Sequence, residues 1–205
     1  MPTWGILIDT IQYKKWLQVD LDTVKLFSNV FDICYYKEEM ELKQLFEQPF
    51  SEDIIEGRVR TLNKYYHTRL WEEQIETIID YLKDKGATFE AEIRQGDINS
   101  VRMIASCDGG NKFVFATKYC SFLNSEYYPI CDALIGGMLE YCQREDTLYS
   151  IDKVFSIEKI KENKDYETFK SIIIEFRKRY KLEECPFKDV DKYLWLMGKN
   201  RDIDT

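Results

Sequence analysis

Glycine and proline are scarce in this chain, 9 and 4 in 205 residues. Sandwiches, collagen and flexible linkers depend on those residues for turns, repeats or freedom, so their scarcity argues against all three. Nine glycines are also thin for a doubly wound nucleotide-binding fold. Apolar residues make up 44% and aromatics 15%, with 14 Tyr, 12 Phe and 4 Trp, ample for a folded core. The length suits a single domain, 1–205, whose natural subdivision would be an N-terminal lobe, 1–67, and a lobe spanning 68–205.

The apolar spacing is mostly helical. In residues 22–35, Val24, Phe27, Val30, Phe31 and Cys34 form one stripe at the 3.6-residue period. A second helix is expected over 38–46, ended by Gln48-Pro49. Ser51, followed by Glu52 and Asp53, reads as an N-cap with an acidic first turn. The clearest helix spans 69–85, with Trp71, Ile75, Ile78, Ile79 and Leu82 on one face, Thr68 as its cap and Gly86 past its end. Residues 87–94 alternate weakly and read as extended chain or loop. Asp97 and Ser100 open a short apolar stretch, 101–105, and Asp108-Gly109-Gly110 is a strong breaker. Helices are expected again over 112–123, 132–144, 165–180 and 187–197, with an irregular loop over 124–129. The expected class is therefore mainly α.

Charge and residue inventory exclude several functions. The formal net charge is −8, the wrong sign for non-specific binding to nucleic acid, so any such role must rest on a local basic face. The six cysteines contain no CxxC pair or zinc-ligand spacing, and they read as buried free thiols of a reduced, cytoplasmic protein. A lone histidine, His67, rules out a multi-histidine metal site, and it reads as a surface or capping residue. The opening MPTWGILIDT lacks the basic start and long apolar run of a signal peptide, and no run of about 20 apolar residues suggests a membrane span. No metal and no cofactor are expected. The run 58–69, RVRTLNKYYHTR, mixes basic and aromatic residues as a nucleic-acid strand site would, although a solvated helix face explains it better. The basic run 176–181 complements the end of a helix dipole.

The segment 109–139 carries the clearest chemistry. A Gly-Gly turn leads into a helix holding Lys118, and an aromatic loop then delivers Asp132, 14 residues on. One helix cannot bring the two together, but a chain doubling back through the loop can. Apolar neighbours and a helix N-terminus lower the pKa of a lysine amine, and a neutral amine can attack an electrophilic carbon to form a Schiff base. An aspartate at a helix start is held ionised by the free N–H groups there and can orient the amine, accept a proton or stabilise a developing cation. A solvated helix lysine and an ordinary N-cap would fit the same two positions.

The wording around the pair resembles the helix-hairpin-helix DNA glycosylases, and most of all their bacterial group with an 8-oxoguanine-glycosylase-like fold. Phe115-Ala116-Thr117-Lys118 stands for that group's F-A-S/T-K run, and Pro129-Ile130-Cys131-Asp132 for its P-I-Y-D-S run. Residues 189–199, DVDKYLWLMGK, are similar to its closing D-x-x-L-W-x-x-G helix. The resemblance extends in blocks from about residue 104 to 199. It implies a helical glycosylase fold, DNA as partner, and cleavage of the N-glycosidic bond of a modified or damaged base, with β-lyase activity as an extension. Lys118 would attack the sugar C1′, and Asp132 would activate it and stabilise the oxocarbenium-like charge. Gly109 and Gly110 would form the hairpin whose N–H groups grip a phosphate, assisted by Lys112. Phe115, Phe122 and Trp195 would hold the extruded base. Two alternatives keep the fold and change the role: a non-catalytic interaction or ligand-binding module beside a protein partner, or an N-glycosidase acting on free nucleosides or nucleotides.

Overall fold

Helix follows helix from residue 21 onward in the computed structural model, which describes residues 19–145 and 154–201. Ten helices and no strand occur among the described residues. They are α1 (Leu21–Cys34), α2 (Tyr36–Glu47), α3 (Glu52–Tyr66), α4 (Glu72–Arg94), α5 (Asn99–Ala105), α6 (Phe113–Leu123), α7 (Ala133–Glu145), α8 (Ile157–Asn163), α9 (Tyr166–Arg179) and α10 (Phe187–Arg201).

Local signals set most boundaries. Asp20 caps α1 by accepting from Thr23 N, and Ser51 caps α3 by accepting from Ile54 N. Asp165 caps α9 in the same way, through Thr168 N. His67 ends α3 in the left-handed conformation and is exposed, as a capping residue should be. Thr68 is not the cap of α4. Its hydroxyl donates to Asn63 Oδ1 instead, and the cap of α4 is Trp71, whose N–H is met by the Gln74 side chain.

The expected break at Gly86 is real but brief. Gly86 has φ 69° and ψ −169°, and the chain resumes helix at once, so residues 87–94 are helical rather than extended. Phe89 and Ile93, one turn apart, face the core and outweigh the weak alternation. α8 has no counterpart among the expected helices. It is only 7 residues long, held by the Ser156 cap and a left-handed Lys164.

α6 lies at the centre. Nearly every residue of it is buried, polar ones included, and it packs against α2, α3, α4 and α5. A helix apolar on all sides belongs inside a core. α10 packs on α1 and α7, and it closes the molecule over the loop that links α6 to α7. Four cysteines, 120, 131, 142 and 185, are buried free thiols, whereas Cys34 and Cys107 are only partly covered. Among the described residues no helix is long and apolar enough to cross a membrane.

Candidate functional site

The loop between α6 and α7 doubles back and brings Lys118 to Asp132. Each step of that return is fixed by a hydrogen bond. Asn124 Nδ2 donates to Arg94 O (2.6 Å), and the Tyr128 hydroxyl donates to Asp97 O (2.8 Å). Tyr166 donates to Pro129 O (2.9 Å), and Ile130 N donates to Asp191 Oδ2 (2.8 Å). Cys131 N then donates to the Thr117 hydroxyl (3.2 Å), tying the loop to α6 one residue before the lysine. Asp132 caps α7 by accepting from Ile135 N through Oδ1 (3.0 Å). Its other oxygen, Oδ2, lies 3.5 Å from Lys118 Nζ.

Both members of the pair are buried, with 4% of Lys118 and 7% of Asp132 exposed. Burial pushes the Lys118 amine below the usual lysine range, Asp132 opposes that shift, and the nearby Lys188 ammonium adds to it. The amine also sits over the Tyr66 ring, 4.8 Å from its centroid. An amine in this setting gives up its proton more readily than a solvated one, which is what nucleophilic attack requires.

Several side chains around the pair were not evident in the sequence. Tyr66, the last residue of α3, donates its hydroxyl to Glu39 Oε1. Glu39 Oε2 lies 3.3 Å from Lys188 Nζ, and that ammonium rests 4.4 Å from the Phe122 ring centroid. Asp191 is 2% exposed, and its Oδ1 has no hydrogen-bond partner. Burial raises its carboxyl well above the ordinary aspartate range, which the Ile130 N–H and Lys188 oppose and Asp132 reinforces. Asp191 is the aspartate of the closing D-x-x-L-W block, so a signal for it existed. Tyr66 lay in the basic-aromatic run, where nothing distinguished it from Tyr65.

The remaining sequence candidates are dispersed. At the Gly-Gly turn, Gly109 takes φ 75°, Gly110 N donates to Asp108 Oδ1 (2.8 Å), and buried Lys112 holds Asp108 Oδ2 at 2.9 Å. Two of the three groups expected to grip a phosphate, the Gly110 N–H and the Lys112 amine, thus converge on the chain's own carboxylate, and the Gly109 N–H donates to Ser106 O (3.0 Å). Phe115 is in the core, stacked on Tyr119. Trp195 packs edge-on against Phe31 of α1 and Tyr35 just past its end, under the Lys199 ammonium. Phe122 alone of the three aromatics stands beside the pair, edge-on to the Tyr66 ring that Lys118 covers. Arg58, read as part of a solvated face, is instead fully buried and paired with Glu90 at 2.6 Å. Among the described residues no group of three or more His, Cys, Asp and Glu side chains is placed to hold a metal ion.

A groove of about 710 Å³ runs beside the site. Ser121, Phe122, Glu39, Lys188 and Lys192 help line it, while Lys118 and Asp132 do not. Ser121 and Phe122 are three and four residues beyond Lys118 on α6, so the groove lining begins one helical turn along α6 from Lys118. The Ser121 hydroxyl is buried there without a partner.

Similarity to other proteins adds lineage. The family model HI_0787_N, described as an N-terminal domain, matches residues 15–127, a span that includes Lys118 and ends before Asp132. An uncharacterized protein of Haemophilus influenzae is 32% identical over 160 residues, covering 76% of this chain and 71% of the relative. No solved structure matches. With more than half its length matched by that model, the chain belongs to the HI_0787_N family.

Proposed function

We propose that the protein is an N-glycosidase of the helix-hairpin-helix glycosylase type, acting on a modified or damaged base in DNA through Lys118 and Asp132. The observation that carries this reading is the buried amine 3.5 Å from a carboxylate that is itself fixed as the cap of α7. The neutral amine of Lys118 forms a bond to the sugar C1′ as the C1′–N bond breaks. The base leaves with the bonding pair and takes up a proton, and the amine loses its own to Asp132. Asp132 passes that proton to the ring oxygen as the C1′–O bond of the sugar ring breaks, which leaves an iminium between C1′ and Nζ and an ionised Asp132. Asp132 faces the positive charge in both the transition state and this adduct. The iminium is released by water or after β-elimination, the lyase extension of the same chemistry. Because the pair is enclosed, substrate must reach it from the groove, past Tyr66 and Lys188.

Incubation with a panel of lesion-bearing oligonucleotides in the presence of borohydride tests the mechanism. Reduction of the iminium gives a stable protein–DNA adduct on Lys118, and Lys118→Met abolishes it. No adduct across the panel, or adduct retained in Lys118→Met, overturns the assignment.

A second reading, a non-catalytic module of the same fold, is favoured by one observation. The turn N–H of Gly110 and the Lys112 amine are already engaged by Asp108, as a hairpin without a phosphate to grip would be. Free nucleosides as substrates are separated from DNA by comparing base release from a nucleoside and from an oligonucleotide.

A further inference from the structure

We propose that the Tyr66 hydroxyl and the Lys188 ammonium form a seat for a substrate phosphate, and that the Glu39 carboxylate fills this seat in the free protein. The proposal deepens the glycosidic reading by giving the nucleotide's phosphate a place beside Lys118.

Two donors from different helices converge on Glu39. Tyr66, at the end of α3, donates to one carboxylate oxygen, and Lys188, on α10, lies 3.3 Å from the other. The two donors are also neighbours, with Lys188 Nζ 3.4 Å from the Tyr66 hydroxyl. Glu39 does not by itself hold them in place. The Lys188 ammonium is seated over the Phe122 ring at 4.4 Å and flanks the Tyr66 ring at 5.9 Å. Such contacts persist when the anion is withdrawn, so the donors stay aimed at the same point. Burial and Glu39 raise the Tyr66 hydroxyl above its ordinary pKa, which keeps its proton available for donation.

The position suits a nucleotide. Glu39 and Lys188 line the groove, and Lys118 lies over the Tyr66 ring, 4.8 Å from its centroid. One aromatic ring thus separates the seat from the amine, a span comparable to that between a nucleotide's phosphate and its C1′. The buried, unpartnered Ser121 hydroxyl lines the same groove and offers a further polar contact to the sugar or phosphate. Phosphate carries more charge and more acceptor oxygens than a carboxylate, so it can displace Glu39 at both donors. Elsewhere in the groove Lys192 lies between two carboxylates, Asp32 at 2.6 Å and Asp189 at 4.0 Å, the reverse of two donors sharing one acid.

Titration calorimetry with inorganic phosphate, a deoxynucleoside monophosphate and a short single-stranded oligonucleotide tests the seat. Glu39→Gln empties it of charge while keeping its shape, and binding should tighten about tenfold or more, the ordinary size of relief from a like charge held against the ligand. In the Glu39→Gln protein, Lys188→Met should reverse that gain and Lys188→Arg should keep most of it. Thermal melts identify any variant that fails to fold, and the conservative Lys188→Arg then decides. Unchanged affinity in Glu39→Gln, or full affinity with Lys188→Met added, overturns the proposal. Binding of the monophosphate as tight as that of the oligonucleotide identifies free nucleotides as the source. Tighter binding of the oligonucleotide identifies a strand, and both results uphold the seat. The readout needs no turnover. Phosphate binding without a borohydride adduct upholds the seat and removes the glycosidase reading, and an adduct without a Glu39→Gln effect does the reverse.

Discussion

At the scale of single residues, the site is governed by what burial does to charge. Lys118 and Asp191 are both enclosed, and burial moves each toward its neutral form, the amine downward and the carboxyl upward. Asp191 makes this measurable. Its carboxyl starts from 3.8 in the unfolded chain and is higher in the folded protein. Its contribution to stability is therefore fully present below the unfolded value and is lost as pH rises toward the folded one. Asp191→Asn removes that loss and keeps an acceptor for Ile130 N. Urea denaturation of the two proteins between about pH 5 and about pH 7.5 should show the variant gaining on the wild type as pH rises, by at most about 1.4 kcal/mol per unit. Parallel curves would show that Asp191 does not titrate across that range.

At the scale of elements, a buried arginine locks α2, α3 and α4 together behind the site. Arg58 on α3 pairs with Glu90 on α4, and it also donates to the carbonyls of Leu45, Phe46 and Gln48 as α2 ends. Arg94, one turn after Glu90, pairs with the same carboxylate and donates to Phe46 O. Removing one partner of a buried pair leaves the other charged and the carbonyls unmet. Arg58→Met should therefore cost about 3–5 kcal/mol in a denaturation experiment. A loss below about 1 kcal/mol would show that water or Arg94 replaces the guanidinium. The same region shows how a period of two deceives. In residues 87–94, alternating apolar positions also contain the i, i+4 pair Phe89 and Ile93, and the helix uses that pair to reach the core. Arg58 departs from expectation for a related reason, since a basic run with aromatics has the composition of a solvated face and only its partner on α4 reveals the burial.

At the scale of the whole molecule, the net charge of −8 constrains the proposed binding of nucleic acid. Cations along the groove are Lys43, Arg94, Lys188 and Lys192, and carboxylates such as Asp32, Glu39, Glu47 and Glu126 stand among them. Such a surface attracts a strand locally and repels it elsewhere. If those four cations are the full set of phosphate contacts, the logarithm of affinity for duplex DNA should fall with the logarithm of salt at a slope no steeper than about −3.6. A clearly steeper slope, read by fluorescence anisotropy over a salt series, would place a second basic face on the molecule.

Sequence by itself determined the helical class, most element boundaries, and the presence of Lys118 on a largely apolar helix with Asp132 at the start of the next. These are local properties. Caps act over three residues, as at Asp20, Ser51 and Asp165, and an amphipathic stripe repeats within a few turns. Tertiary structure decided what those residues meet. The return of the loop that joins Lys118 to Asp132 depends on bonds to Asp191 and Tyr166, 61 and 37 residues beyond their partners in the loop. Lys188 meets Tyr66 across 122 residues of chain. Contacts of that range follow from how whole helices stack, and the energy that stacks them is non-directional burial spread over many side chains, which no short stretch of sequence encodes.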